Sequence, residues 1–345
     1  MDSFPKVIHD VEQLELLLSA PAAGLVEAMG TLAGDIMVLG VGGKMGPTLA
    51  RMTKRASVAA GVHRRVIGVA RFSSPELEVK LQTQDIETIR CDLLDQAQLD
   101  ALPEVEHVVY MAGMKFGATG NESLTWAMNA YLPGMICQKF RHSRIAAFST
   151  GNVYGVKPVA AGCPPEDAEL NPEGEYAMSC LGRERIFEHF SRTLNIPMTL
   201  LRLNYACEMR YGVLVDLARK VWREQPVDVT MGYVNVIWQG DANAMALHSL
   251  LHVASPPLAL NIAGPETLCV REVAQEFARR MNKPVQFTSE EAADALLSDG
   301  RRAHTLFGAP RVSAEELIGC VADWVIRGGE TLGKPTHFEV RDGRF

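Results

Sequence analysis

This 345-residue sequence predicts an α/β fold built on a doubly wound parallel sheet, and three observations carry the prediction. The apolar run Ile36-Met37-Val38-Leu39 leads directly into Gly40-Val41-Gly42-Gly43-Lys44-Met45-Gly46, and a helix-competent stretch follows from Thr48 to Arg55. From Ile36 onward, short apolar runs alternate with stretches of helical period, the rhythm of strand–helix–strand units in a parallel sheet. No acidic residue stands between Asp35 and Glu76, so the glycine-rich turn lies in a locally basic segment.

Ahead of the first strand, residues 1–34 read as a helical extension. Asp10 and Gln13 have the spacing of a capping box, and Val11, Leu14, Leu17 and Leu18 share one helical face. Pro21 breaks that helix, a second short one follows, and Gly34 stands where its C-cap belongs. Strands are predicted at 36–40, 65–70, 86–90, 106–112, 144–149 and 198–203, the first opening on the continuous apolar run Ile36–Leu39 that suits a strand buried on both faces. Helices are predicted at 44–55, 95–101, 122–141, 176–194, 213–225 and 241–253. Together these make a Rossmann-like domain over 35–204. Beyond Asn204 the pattern loosens. Helical stretches at 270–281 and 313–326, with apolar runs at 234–238 and 258–262, predict a smaller lobe over 205–345, parts of which near 234–263 return to the first domain. The polar, turn-rich tail from Gly328 is expected to dock on the surface.

Composition narrows the function classes. A chain with 47% hydrophobic residues can bury a large core. A net charge of −7 argues against general nucleic-acid affinity. No apolar run approaches the ~18 residues of a membrane span. The N-terminus, with Asp2, Asp10 and Glu12, lacks the basic and apolar regions of a secretory signal. Seven scattered cysteines without C-x-x-C spacing read as reduced thiols of a cytoplasmic protein, and no H-E-x-x-H occurs, so no metal site is expected.

The glycine turn is a phosphate cradle in kind. Glycines let the backbone approach a pyrophosphate, and the following helix offers unpaired N–H groups at the positive end of its dipole. Met45 occupies the third-glycine place of G-x-G-x-x-G, and Gly40, Gly43 and Gly46 instead fit G-x-x-G-x-x-G. The second strand, Val66–Ala70, ends in Arg71-Phe72-Ser73-Ser74, where NAD-binding folds carry an acidic residue for the adenosine ribose. Arg71, Ser73 and Lys44 stand ready for a 2′-phosphate instead, since a guanidinium fork matches its geometry and charge. NADP is therefore the preferred cofactor, with NAD the alternative. Asp92 and Leu93, just past the third strand, are placed for the adenine edge, and Asp95 reads as a helix N-cap.

Further segments follow in order: Met111-Ala112-Gly113-Met114-Lys115, Asn129, Phe148-Ser149-Thr150-Gly151-Asn152-Val153-Tyr154-Gly155, Tyr176, Leu201-Arg202-Leu203-Asn204-Tyr205 and Trp238-Gln239-Gly240-Asp241. From about Ile36 to Trp324 this series resembles the extended short-chain dehydrogenase/reductases, the NAD(P)-dependent sugar epimerases and dehydratases. The resemblance implies that Ala112, Gly113, Lys115 and Asn129 line the cofactor beside Gly40, Gly43, Met45 and Gly46. It implies that Thr150 is the catalytic Ser/Thr and Tyr176 the proton-transfer tyrosine. Asn152, Arg202, Asn204 and Arg210 fall toward the substrate, with Glu208, Tyr211 and Arg271 nearby. It also implies a homodimer through helices 122–141 and 176–194, with Trp126, Met128, Tyr131, Met135, Ile136, Ile186, Phe187 and Phe190 as contacts.

One position departs from the family. Tyr176-Ala177-Met178-Ser179-Cys180 carries cysteine where Tyr-x-x-x-Lys has lysine. That lysine holds the nicotinamide ribose, and its charge lowers the tyrosine's pKa from about 10. A neutral thiol does neither. Lys115, or Arg183 on the same helical face, are the substitute cations in the sequence, unless Arg183-Glu184-Arg185 is a surface salt-bridge run. Cys180 itself reads as a small buried hydrophobe. The resemblance implies hydride transfer from a hydroxyl-bearing carbon of a sugar, sugar acid or nucleotide sugar, by an epimerase/dehydratase or an oxidoreductase. The alternatives are a dinucleotide sensor that has lost catalysis and a non-redox lyase or isomerase.

Overall fold

In the computed structural model, residues 4–115, 117 and 119–343 are described. The outermost residues of the extension and of the C-terminal lobe, 1–3 and 344–345, lie outside them. Among the described residues, strands β1 (Ile36–Leu39), β2 (Val66–Ala70), β3 (Glu87–Arg90), β4 (His107–Tyr110), β5 (Arg144–Thr150), β6 (Met198–Leu203) and β7 (Leu258–Ile262) form one parallel sheet. Its order is 3-2-1-4-5-6-7, and the chain reverses direction of winding between β1 and β4. That switch point is where open α/β sheets form a crevice at the carboxyl ends of their strands. The registers Ile36–Val66 and Ile36–His107 align β1 with both neighbours, so their C-terminal ends finish level.

Alternation along each strand divides the core. Met37, Leu39, Ile67 and Val69 face one side with Leu132, Ile136 and Phe187, while Ile36, Val38 and Val66 face the other with Leu49, Met52 and Leu247. Helix α1 (Val11–Leu18) is capped by Asp10, whose carboxylate accepts from the Gln13 N–H at 2.8 Å. Helix α2 (Ala23–Thr31) ends at Leu32, so Gly34, at φ +95°, forms the turn into β1 and is not the C-cap. Helix α3 (Gly46–Ala59) begins with Pro47 in its first turn, where the missing N–H costs nothing. Helix α4 (Pro75–Gln82) is absent from the sequence-based prediction because its apolar face is thin, Leu81 being its one buried residue. Ser74-Pro75-Glu76 is the start signal that marks it. Helix α5 (Gln96–Asp100) is capped by Asp95, as expected.

The helix predicted over 122–141 is interrupted. Helix α6 (Glu122–Trp126) passes through a π-helical turn, Ala127–Tyr131, into α7 (Leu132–Lys139). Pro133 has no N–H to give the carbonyl of Asn129 four residues back, which explains why the α-helical ladder fails there. Helix α8 (Gly174–Leu194) runs parallel to this pair, Trp126 meeting Glu175 and Gly134 meeting Phe190, and stops at Asn195 in the left-handed conformation.

The C-terminal lobe packs α9 (Val213–Trp222), α11 (Val270–Met281) and α13 (Ala314–Ile326) around Leu217, Phe277 and Val321. Helices α10 (Gln239–His248) and α12 (Arg301–Phe307) lie against the sheet instead. Ile8, Leu14 and Leu18 of the extension belong to the lobe's core, and Phe4 meets Trp238 edge-on at 5.3 Å. Arg55 on α3 donates to the Leu16 carbonyl at 2.7 Å, so the extension ties the lobe to the sheet domain.

Candidate active site

The glycine turn between β1 and α3 obeys a steric logic. Gly40 has φ +85°, and a Cβ on it would lie 2.8 Å from the Ala112 nitrogen. A Cβ on Gly46 would collide with the Val41 carbonyl, whereas one on Gly43 would meet only the Gly40 oxygen, at 3.4 Å. The first and last glycines close the turn, and the middle one leaves its outer side open to a ligand. Gly40, Gly43, Met111 and Gly113 line two adjoining grooves across the strand ends. One, of about 360 Å³, continues past Ala70, Arg71, Phe72, Ser73, Asp92, Leu93 and Ala112. Arg71 and Ser73 are exposed there, and Asp92 also accepts from the Leu94 N–H at 3.1 Å. The other, about 220 Å³, runs past Lys44, Met45, Gly46, Lys115, Ser149 and Tyr176. The double groove passes the N-terminus of α3, where the open side of Gly43 lets a phosphate approach the helix's unpaired N–H groups.

Lys44 corrects the sequence reading. Its ammonium donates to the Ala206 carbonyl at 2.9 Å and lies 4.1 Å over the Tyr211 ring, toward the C-terminal lobe and away from the groove that Arg71 lines. Burial lowers its pKa to about 8.

A third cavity, about 160 Å³, opens beyond Tyr176 and is lined by Lys115, Ser149, Thr150, Asn152, Asn204, Tyr205 and Tyr211 among others. Tyr176 thus stands in the wall between groove and cavity. Its hydroxyl is hydrogen-bonded to Thr150 and Cys180, and the Lys115 ammonium lies 5.8 Å above its ring. Burial and Cys180 push the phenol well above its ordinary pKa, while Arg183 and Thr150 pull it down. Thr150 in turn donates to Asn152 Oδ1 at 3.1 Å and accepts from the Asn152 N–H at 3.2 Å. Lys115 is lowered to about 8, by burial. Tyr205, which follows Asn204 into the lobe, holds φ +39°, a strained conformation for an aromatic residue.

Cys180 is fully buried beside Val153 and Tyr154, and its thiol pKa is raised by burial. Arg183 stands one turn further along the same helix and is buried as well. Its Nη2 donates to Asn129 Oδ1 at 2.5 Å, its Nη1 to the Phe148 carbonyl at 2.9 Å, and its Nε to the Asn129 carbonyl at 3.4 Å. The last bond replaces the donor that Pro133 lacks. The run 183–185 is therefore no surface feature. Arg183 is buried behind Gly113, where a Cβ would collide with it; Glu184 is buried against Arg202; and Arg185 alone pairs outside, with Glu188.

Four other expected site residues hold structure instead. Asn129 is fully buried, donates to the Met114 carbonyl and to Ser179, and accepts from the Met114 N–H. It shapes the 113–115 loop and does not line the groove. Arg202 binds Glu184 through two nitrogens and donates to Tyr154 and the Glu166 carbonyl. Arg210 is held by Glu208 and Glu15. Arg271 pairs with Glu291 and covers Phe287. Asn204 does line the cavity, although its amide donates to Asn235 at 2.7 Å. Asp241 lies inside α10 and holds the backbone of Arg311 and Val312. His248 and His252, four residues apart on one turn, both pack on the Phe307 ring, and among the described residues no metal-binding group forms.

The family model of the NAD dependent epimerase/dehydratase family matches residues 36–207. Among solved structures, the chain is similar to the UDP-glucuronic acid 4-epimerase of Bacillus cereus, in complex with UDP-glucuronic acid and NAD. The two share 18% identity over 85% of this chain and 99% of that one, at a TM-score of 0.69. The dTDP-glucose 4,6-dehydratase of Bacillus anthracis, in complex with NAD, has 14% identity over 86% and 97%, at 0.70. No curated protein matches the chain. At such identities the structural likeness shows the fold, and the match over 36–207 adds the motif-bearing sequence itself. On both grounds the chain belongs to the NAD dependent epimerase/dehydratase family, a family of enzymes.

Proposed function

We propose that this protein oxidises a hydroxyl-bearing carbon of a carbohydrate-like small molecule (a sugar, sugar acid or nucleotide sugar), either as a net oxidoreductase or, with the hydride returned, as an epimerase or dehydratase. The observation that carries this reading is Tyr176, bonded to Thr150 in the wall that the dinucleotide-shaped groove shares with the inner cavity. A nicotinamide dinucleotide held by Gly40, Gly43, Met45, Gly46, Ala112 and Gly113 supplies the hydride acceptor. Tyr176 takes the substrate's hydroxyl proton, and Thr150 orients that hydroxyl with Asn152. Arg183 provides the fixed positive charge that the absent lysine would give. The similar structures bound to NAD support the cofactor class. The test is a titration of dinucleotide-free protein, followed by absorbance in the reduced-nicotinamide band with sugars, sugar acids and nucleotide sugars. A protein that takes up no dinucleotide sinks the proposal.

NADP is the preferred cofactor in this reading, on the strength of Arg71 and Ser73 at the groove's rim, without Lys44. Arg71→Ala is expected to weaken NADP by about 1.5–3 kcal/mol, the worth of a charge-assisted contact, and to leave NAD unchanged. Calorimetry on stripped protein checks it, and equal affinities in the unmodified protein refute it.

A homodimer through α6–α7 and α8 also forms part of the proposal. Leu124, Trp126, Tyr131 and Met178 are exposed there, whereas Met135, Ile136 and Phe187 are buried in the chain's own core and drop out as contacts. Sedimentation at micromolar concentration is expected to give a dimer, and Tyr131→Glu a monomer. A monomeric unmodified chain would contradict it.

A further inference from the structure

The segment after α13 returns across the mouth of the inner cavity. Leu332 donates its N–H to the Arg210 carbonyl at 3.1 Å. Thr336 then fixes the strap to α9, its N–H and hydroxyl donating to the Asp216 carboxylate at 2.8 and 2.6 Å. Phe338 is buried in the lobe's core, and Glu339 accepts from Lys220 at 3.1 Å. Arg341 donates to the Asp294 carbonyl at 3.0 Å and pairs with its carboxylate. Gly343 finally packs so tightly on Gly174 that a Cβ on either would collide with the other strand's backbone. Gly174 starts α8, two residues before Tyr176. The strap thus spans from the lobe to the helix that carries the tyrosine.

Two consequences follow for what the cavity can hold. Thr336 is part of its wall, and the space beyond, between the strap and Asn152, Glu173 and Tyr205, amounts to only about 40 Å³. The cavity itself has about 160 Å³. Drug-sized ligands need pockets of roughly 300–1,000 Å³. One sugar ring fits, and a nucleoside diphosphate attached to it does not. The charge of the wall is one-sided. Among its described residues no Asp or Glu appears, Lys115 is one of them, and a second lysine, Lys44, backs Tyr211.

We infer that the substrate is a free sugar acid of about hexose size, its carboxylate facing Lys115, and not a nucleotide sugar. This rests on the proposed function and narrows it. The test loads the full chain with dinucleotide and measures binding of D-gluconate, D-glucuronate, D-glucose, UDP and UDP-glucuronate by calorimetry, alongside the nicotinamide absorbance. At least one free acid is expected to bind ten or more times tighter than D-glucose, with UDP and UDP-glucuronate weaker than that acid by the same margin. UDP-glucuronate or UDP binding as tightly as the acids overturns the inference, and so does binding or turnover confined to the neutral sugar. Each of those outcomes leaves the proposed function standing. Failure to load with dinucleotide would instead strike the proposed function and this inference with it, and is read separately in the first step. Lys115→Met supplies the second readout: calorimetry on the dinucleotide-loaded variant is expected to show the acid bound at least tenfold more weakly, with D-glucose affinity unchanged. An unchanged affinity for the acid removes the lysine–carboxylate contact.

Discussion

Tyr176→Phe is expected to lower turnover by roughly 10²–10⁴-fold, the usual worth of a positioned proton-transfer group, while dinucleotide affinity holds. The phenol ring stays, so the packing of the wall is kept and only the hydroxyl is lost. The pH dependence carries a sign. Activity that needs a phenolate rises with pH through the tyrosine's pKa, and burial together with Cys180 sets that pKa high. The activity limb should therefore lie on the alkaline side. Arg183 lowers it, so Arg183→Met moves the limb further alkaline, whereas Arg183→Lys keeps the charge and moves it less. Cys180→Lys adds a cation beside the phenol and moves it toward acid. Rate–pH profiles of the four variants decide the matter. Undiminished turnover in Tyr176→Phe would falsify the tyrosine mechanism and shift weight to a non-redox reaction.

Glu184→Ala is expected to cost about 3–5 kcal/mol of stability, because it leaves Arg202 buried without its counter-charge. The carboxylate accepts from Arg202 at 2.8–3.2 Å and from the Ser149 hydroxyl at 2.5 Å, with both ionic partners almost fully buried. Arg202 in turn joins Tyr154, which donates to Asn261 on β7 at 2.7 Å. One deletion therefore loosens β5, β6, β7 and α8 together. The paired change Glu184→Leu with Arg202→Met removes both charges and should restore much of the loss. Urea midpoints measure both, and a single-variant midpoint equal to that of the unmodified chain would show the pair to be idle.

The sheet and the glycine turn were legible in the sequence because their constraints are local. Ile36–Leu39 is buried on both faces, and Gly40 and Gly46 are demanded by contacts within or next to the turn. Tyr176 and Thr150 were legible through motif spacing. The charged residues were not, because spacing does not say which way a long side chain leans. Lys44, Arg202 and Arg210 looked like ligand contacts. Lys44 and Arg202 find partners 162 and 18 residues away, at Ala206 and Glu184, and Arg210 is held both by its neighbour Glu208 and by Glu15, 195 residues away. Residues 183–185 read as one run, yet successive helical side chains point about 100° apart, and three neighbours found three different surroundings. The Rossmann-type sheet fixed where the site lies; the long-range pairing decided which residues face it.

The π turn at 127–131 has a consequence in the currency of length. It stores one surplus residue inside a helix, so α6 and α7 run about 100° out of phase with each other. Asn129 falls at the phase change, and from there it reaches Arg183 and the Met114 backbone at once. Deletion of one residue between Glu122 and Met128 would shift the phase of the turn and swing Asn129 off that point, although every residue type in the site survived. Here the placement of the guanidinium behind the tyrosine is written in a residue count, and drift by insertion or deletion is closed to this helix while drift by substitution stays open along its exposed face.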